Sequence, residues 1–235
     1  MSEARNERTD LLPGNLGTVA VIGGTGAEGS GLALRWAAAG LDVIIGSRQR
    51  EKGERVATEL SEALGRNAIR GMDNLGAAQA GDVVVLSVPY AAHRATLEQI
   101  KPGVAGKVLI DVTVPLKPPK VSRVYVPEEG AASVQAQAFL GEDVQVVAAF
   151  QNVSAVHLAH GGDPIDCDVL ICGDTPAARE VAVDLARAAG LRGIHAGALA
   201  NAVAIESLTA VLIAINRRYK IRNAGIRITG LPEQE

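Results

Sequence analysis

The chain is poor in aromatic residues, which make up 3% of it, and it holds only two cysteines and one tryptophan. Scarce aromatics leave few platforms for stacking unpaired bases, and a formal net charge of -3 gives no surplus of cations for a phosphate backbone. Nucleic acid is therefore not expected as a partner. Cys167 and Cys172 lie five residues apart in an apolar run. On a strand that spacing turns them to opposite faces, which excludes a mutual disulfide and predicts two buried thiols. The first residues, MSEARNERTDLLPGN, mix acids with bases and contain no apolar signal core, so a flexible extension over residues 1–16 of a cytosolic chain is expected. The longest apolar stretch, Gly197 to Asn216, is interrupted by Glu206, which would cost about 3 kcal/mol at a bilayer centre. It reads as a buried helix and not as a membrane span.

What the chain has in quantity is glycine, 26 residues, within a composition of 48% hydrophobic and 21% charged residues. That balance describes an ordinary globular protein, and 235 residues suffice for one large domain with a smaller companion. From Thr18 onward, short apolar runs alternate with longer segments of helical period, as a parallel sheet covered on both faces requires. Strands are expected at Thr18 to Gly23, Asp42 to Ser47, Asp82 to Val88, Lys107 to Thr113 and Val144 to Phe150, then near Asp168 to Cys172 and Leu191 to His195. Between them the periodicity predicts helices over about Gly29 to Ala37, Gln49 to Leu64, Ala92 to Ile100 and Ala131 to Leu140. A further helix opens at Thr175-Pro176 and closes at Gly190, and a long one spans Ala198 to Tyr219. Pro118, Pro119 and Pro127 exclude a helix from Leu116 to Gly130, which becomes a surface loop.

The strongest chemical signal is VAVIGGTGAEGSG, where Gly24, Gly26 and Gly29 spell G-x-G-x-x-G directly after a strand and at the mouth of a helix. Gly24 serves the sharp turn, Gly26 removes a side chain where backbone N–H groups approach a diphosphate, and Gly29 lets the helix pack on the strand. The helix N-terminus adds partial positive charge. Glu28 beside that anion is unfavourable unless its side chain turns away. The fold implied is α/β, a Rossmann-type doubly wound parallel sheet, with a dinucleotide domain over 17–152 and a smaller C-terminal α/β domain over 153–235. An acid at the end of the second strand would bind a ribose 2'-hydroxyl. None is present. Ser47, Arg48, Arg50 and Lys52 stand there instead, a hydroxyl and cations suited to a 2'-phosphate, so the cofactor expected is NADP.

The rest of the chain offers no evident acid, base or nucleophile. His93, His157, His160 and His195 are scattered and lack the further ligands of a metal site, so no metal is expected. Asp111, at the end of a strand, reads as structural. Such a site suits direct hydride transfer between two bound coenzymes, in which the protein supplies alignment.

These residues carry a resemblance to the NADPH-dependent reductases of the deazaflavin coenzyme F420. The blocks are GGTGAEG at 23–29, GSR at 46–48 with Lys52, SVPY at 87–90, PEEG at 127–130, VAAFQNVSA at 147–155, DVLICGD at 168–174, and AGALANAVAIESLT at 196–209 with NRRYK at 216–220. The resemblance implies that Gly24, Thr25, Gly26, Ala27 and Glu28 wrap the diphosphate and that Ser47, Arg48 and Lys52 hold the 2'-phosphate. Pro89, Tyr90 and Ala155 border the nicotinamide half. Gln151 and Val153 flank the meeting point of nicotinamide and deazaflavin, and Leu199 and Asn201 line the far side of the deazaflavin pocket. The family usually carries His where Gln151 stands and often Ser where Ala200 stands. Gln can hydrogen-bond a ring edge but cannot take up a proton near neutral pH.

The function expected is reversible hydride transfer between NADP(H) and coenzyme F420, two small-molecule coenzymes. An NADP-dependent reductase of another flavin or of a small imine or carbonyl compound is the alternative, as is a non-catalytic NADPH-sensing module. Arg217, Arg218, Lys220, Arg222 and Arg227 form a cluster that could attract an anionic coenzyme tail or simply stabilise a helix C-terminus. The preceding helix is apolar on more than one side, which predicts a homodimer.

Overall fold

The computed structural model describes residues 16–159 and 165–231. The extension expected over 1–16 therefore falls almost wholly outside the described residues, as does His160. The chain runs β1 (Thr18–Ile22), α1 (Ala27–Ala38), β2 (Asp42–Ser47), α2 (Arg50–Ala63), β3 (Ile69–Asp73), α3 (Asn74–Ala80), β4 (Val83–Leu86), α4 (Tyr90–Ile100) and β5 (Val108–Asp111). Then follow α5 (Ala132–Leu140), β6 (Gln145–Ala148), α6 (Ala155–Leu158), β7 (Asp168–Gly173), α7 (Pro176–Ala188), β8 (Arg192–His195) and α8 (Ala202–Tyr219).

One eight-stranded sheet in the order β3-β2-β1-β4-β5-β6-β7-β8 carries these elements. The pairs from β3 to β6 are parallel, β7 joins β6 antiparallel, and β8 pairs parallel with β7. The boundary expected near residue 152 falls just before that reversal, and the sheet runs through it. Successive residues of the inner strands enter opposite cores, Val19 and Val21 with α1, α2 and α7, Ala20 and Ile22 with α3, α4, α5 and α8. This is why those strands read as unbroken apolar runs.

β3 and α3 were not expected from the sequence. IRGMD is an edge strand with one neighbour, mostly half-buried, so it carries no apolar run; Asp73 then caps α3 by accepting from the Gly76 N–H at 2.9 Å. The expected closures hold: Gly40 and Gly190 take positive φ after α1 and α7, and the Thr175 hydroxyl caps α7. Cys167 and Cys172 are free, buried and in opposite cores, and burial raises both thiol pKa values, that of Cys172 to about 11. The last long helix is less buried than expected. A stretch long and apolar enough to cross a membrane, Leu199–Tyr219, is one third buried, because Ala204, Val211 and Ala214 face outward.

The first core is centred on the only tryptophan. Trp36 is fully buried, donates its indole N–H to the Leu185 carbonyl at 2.8 Å, and meets the Phe150 ring edge to face at 5.8 Å. These contacts join α1, α7 and the end of β6. Trp36→Ala is expected to lower unfolding free energy by about 3–5 kcal/mol. Denaturant titration followed by circular dichroism checks this, since the variant has no tryptophan fluorescence.

Candidate functional site

The site begins where β1 turns into α1. Gly23 takes φ 76°, and a Cβ there would lie 2.3 Å from the Ser87 carbonyl oxygen, so the turn admits glycine alone. The sharp turn thus falls on Gly23 and not on Gly24, whose tightness comes instead from the Val21 carbonyl. Both amides donate to the Gly46 carbonyl, at 3.1 and 3.2 Å. A Cβ on Gly29 would sit 2.9 Å from the Gly24 Cα, which is the close helix packing the motif implied. At Gly26 nothing comes nearer than 3.5 Å, so space is left open above the loop. No side chain caps α1, leaving its first N–H groups directed toward that space.

Beside this loop lies a cleft of about 730 Å³ that brings together Thr25, Gly26, Ser47, Arg48, Lys52 and Pro89. Among the described residues neither Arg48 nor Lys52 pairs with a carboxylate, whereas Arg50 is engaged by Glu54 at 2.8 Å on the exposed side of α2. The hydroxyl of Ser47, itself nearly buried, is near the Gln49 N–H at 3.3 Å and also borders the cleft. A hydroxyl and two unpaired cations at one end, with an uncapped helix N-terminus at the other, fit a dinucleotide bearing a 2'-phosphate.

Four buried polar atoms among the described residues have no hydrogen-bond partner and follow strand ends: Oε1 of Glu28 after β1, Oδ1 of Asn74 after β3, Oγ1 of Thr113 after β5 and Oε1 of Gln151 after β6. Buried polar atoms are ordinarily paired, so each of these four is open to a further donor. Asn74 lines the cleft and holds its amide on Gln99 at 3.0 Å, presenting its carbonyl inward. Sequence reasoning missed it along with β3. Gln151 donates to the Asp111 carbonyl at 2.7 Å, its own carbonyl receives the Thr209 hydroxyl at 2.7 Å, and its unpaired Oε1 fits an N–H at a heterocycle's edge. Burial pushes the Glu28 carboxyl up to about 8, so at neutral pH it carries no charge to repel a diphosphate.

A buried cluster of titratable side chains lies behind the end of β5. His93, in the first turn of α4, meets Asp111 at 2.7 Å, and Asp111 also accepts from the Thr113 N–H at 3.0 Å. Burial alone would lower the His93 pKa, but the charge and hydrogen bond of Asp111 outweigh it and raise it. Glu206 reaches from α8 to accept from the Ala132 and Ser133 amides at 2.7 and 3.0 Å and from the Ser133 hydroxyl at 2.8 Å. Burial, reinforced by Asp111 and opposed by these bonds, pushes Glu206 up to about 7. One turn before His93, Tyr90 lies 6.3 Å from its ring and donates its hydroxyl to Gln135 at 3.1 Å, lining a second cavity of about 640 Å³ between α4 and α5.

The other expected residues are less exposed to the cleft. Gly24 lies beneath the loop, and Ala27 and Ala155 open α1 and α6. Val153 and Leu199 are buried in the two cores, and Asn201 is exposed with its amide turned back to the Ala196 carbonyl. Among the described residues no cluster of three metal-binding side chains occurs.

A family model described as NADP oxidoreductase, coenzyme F420-dependent, matches residues 18–115. The F420-dependent NADP reductase of Methanothermobacter thermautotrophicus is 48% identical over 92% of this chain and 97% of its own length. That of Methanocaldococcus jannaschii is 41% identical over 91% and 98%. The crystal structure of a candidate F420-dependent NADP reductase from an Arthrobacter species superposes with a TM-score of 0.75, at 25% identity, over 90% of this chain and 98% of that one. The chain belongs to the F420-dependent NADP reductase family.

The neutral state of Glu28 gives a pH signature. Its ionisation above about pH 8 places a negative charge at the phosphate loop, so affinity for NADPH is expected to fall as pH rises through that value. Glu28→Gln, neutral throughout, is expected to keep its affinity. Fluorescence titration of NADPH from about pH 7 to about pH 9 checks both.

Proposed function

We propose that this chain, as a member of that family, is an oxidoreductase that transfers a hydride reversibly between NADP(H) and coenzyme F420. The observation that carries the reading is the cation-lined cleft at the carboxyl ends of β1, β2 and β4, where Arg48 and Lys52 have no acidic partner among the described residues. In this reading the loop from Gly24 to Glu28 holds the diphosphate, and Ser47, Arg48 and Lys52 hold the 2'-phosphate. Pro89, Tyr90 and Ala155 border the nicotinamide, while Gln151, Val153, Leu199 and Asn201 surround the deazaflavin. Residues 17–152 form the NADP half and residues 153–235 the half that completes the second pocket.

The two coenzymes, when bound, supply the hydride donor and acceptor carbons. The chain's part is alignment: the phosphate contacts fix one ring, Gln151 orients the edge of the other, and apolar walls exclude water while the reacting atoms stand about 3–3.5 Å apart. The Gln151 amide does not titrate near neutral pH, so it positions without acting as an acid. Reduction of the deazaflavin consumes one proton per hydride, and acidic conditions therefore favour that direction.

Stopped-flow absorbance with NADPH and a panel of acceptors tests the reading. Reduction of the deazaflavin is expected; turnover only with another flavin, an imine or a carbonyl compound, or NADPH binding with no turnover, would overturn it. Arg48→Glu is expected to weaken NADPH by about 10- to 100-fold while sparing NADH.

The chain also works, in this reading, as a cytosolic homodimer without nucleic-acid or membrane partners. Ala204, Leu208, Val211 and Ile215 recur at helical spacing on the less buried side of α8, a stripe that a second copy would cover. Val211→Glu is expected to shift the sedimentation mass from dimer to monomer, and a monomeric parent chain would refute the assignment.

A further inference from the structure

We infer that Asn152 is a positioning residue for the hydride transfer: its side chain ties the turn that carries Gln151 to the start of β7. The inference rests on the proposed function and adds to it the group that fixes where Gln151 stands.

The turn begins where a strand stops. β6 pairs with β7 at Val147 opposite Gly173 and at Ala148 opposite Cys172, where the ladder ends. Phe150, at φ 73°, then swings the chain out of the sheet, and the Val153 N–H closes a turn on the Phe150 carbonyl at 3.0 Å. A bulky residue in this left-handed region is strained and persists only where its surroundings hold it. The two side chains that follow supply that hold.

They reach to opposite neighbours of β6. The Gln151 amide donates to the Asp111 carbonyl at the end of β5, at 2.7 Å, and the same carbonyl receives the Ala149 N–H at 3.3 Å. The Asn152 amide donates to the Asp168 carbonyl of β7 at 2.6 Å, and its oxygen lies 3.4 Å from the Leu170 N–H. A carbonyl and an N–H two residues apart on one strand edge are what a residue of a neighbouring parallel strand would engage. The Asn152 amide takes that place where β6 has left it. The C-terminal segment closes the edge beside it: the Ile226 carbonyl receives the Asp168 N–H at 2.8 Å, and the Arg222 carbonyl receives the Ser154 hydroxyl at 3.1 Å.

These partners settle which way each amide faces. The Asp168 carbonyl can only accept and the Leu170 N–H only donate, so the Asn152 amide fits one way round. Gln151 must likewise turn its N–H to Asp111, which leaves its Oε1 directed away, buried and without a partner among the described residues. Asn152 itself is 2% exposed and lines neither of the two cavities described above, so it acts on the reaction through the neighbour whose place it fixes. Without it the strained turn keeps only the Asp111 anchor. A misplacement of about 1 Å in a group that aligns reacting rings costs up to about 100-fold in rate.

Stopped-flow reduction of the deazaflavin by NADPH, at saturating levels of both, tests the inference with Asn152→Ala, Gln151→Ala and the double variant. Asn152→Ala is expected to lower kcat by about 10- to 100-fold, while fluorescence titration shows NADPH affinity unchanged. The double variant is expected to match Gln151→Ala to within about twofold, because the two residues act as one unit. Asn152→Asp keeps the shape but lacks the N–H donor; it is expected to lose kcat as well, and it serves where alanine unfolds the chain. Parental kcat in the Asn152 variants or in Gln151→Ala would overturn the inference. So would a double variant whose loss is the product of the two single losses, or loss of NADPH binding in both Asn152 variants, which would mark a purely structural residue. Each of these outcomes leaves the proposed function standing. A parent chain that binds NADPH and reduces no deazaflavin would overturn the proposed function and the inference with it.

Discussion

The pairing of β1 with β2 on one side and β4 on the other is the constraint from which the site follows. Chain connections leave a central parallel strand in opposite directions at this point, so the helices diverge and a crevice opens at the carboxyl ends. The crevice is narrow at its base. Gly23 is pressed so close to Ser87 that any side chain would collide, and this contact lets the strand turn at once into α1 and aim an uncapped helix end at the opening. Arg48 and Lys52 follow from the same geometry, because they begin the next βα connection on the same edge.

Polar satisfaction divides the molecule into scaffold and site. In the scaffold, buried groups find partners even across great sequence distance: Glu206 closes the N-terminus of α5, and Asp111 joins His93 to the Thr113 amide. At the carboxyl edge, Glu28, Asn74, Thr113 and Gln151 keep atoms without partners. A carboxylate spent on capping a helix braces α8 against α5, and an amide oxygen left open is available to a ligand. Phe150, at φ 73°, adds backbone strain just before Gln151, held in place by the Trp36 ring against it.

Much of this was legible in the chain, and the exceptions share a cause. The inner strands announced themselves because both their faces are covered, and the glycine loop after β1 did so because its glycines meet local steric demands. The cations at 48 and 52 were readable from an absence, the missing acid at the end of β2. β3 was not, since an edge strand needs no continuous apolar run, and Asn74 was lost with it. The capping aspartate Asp73, three residues before Gly76, was the signal available. His93, Asp111 and Glu206 come from three separate segments, and no local pattern could have joined them. Nor could spacing show that Arg227 is taken up by Asp166 and Asp168 while Arg217 and Arg218 at the end of α8 pair with no acid among the described residues.

The two thiols have a bearing on how such a protein endures its own work. A protein that handles reducing equivalents in the presence of oxygen meets peroxide, which attacks sulfur in its anionic form. Cys167 and Cys172 are enclosed in separate interiors and are poorly acidic, so neither supplies that anion. Both thiols are thereby poor targets for such oxidants.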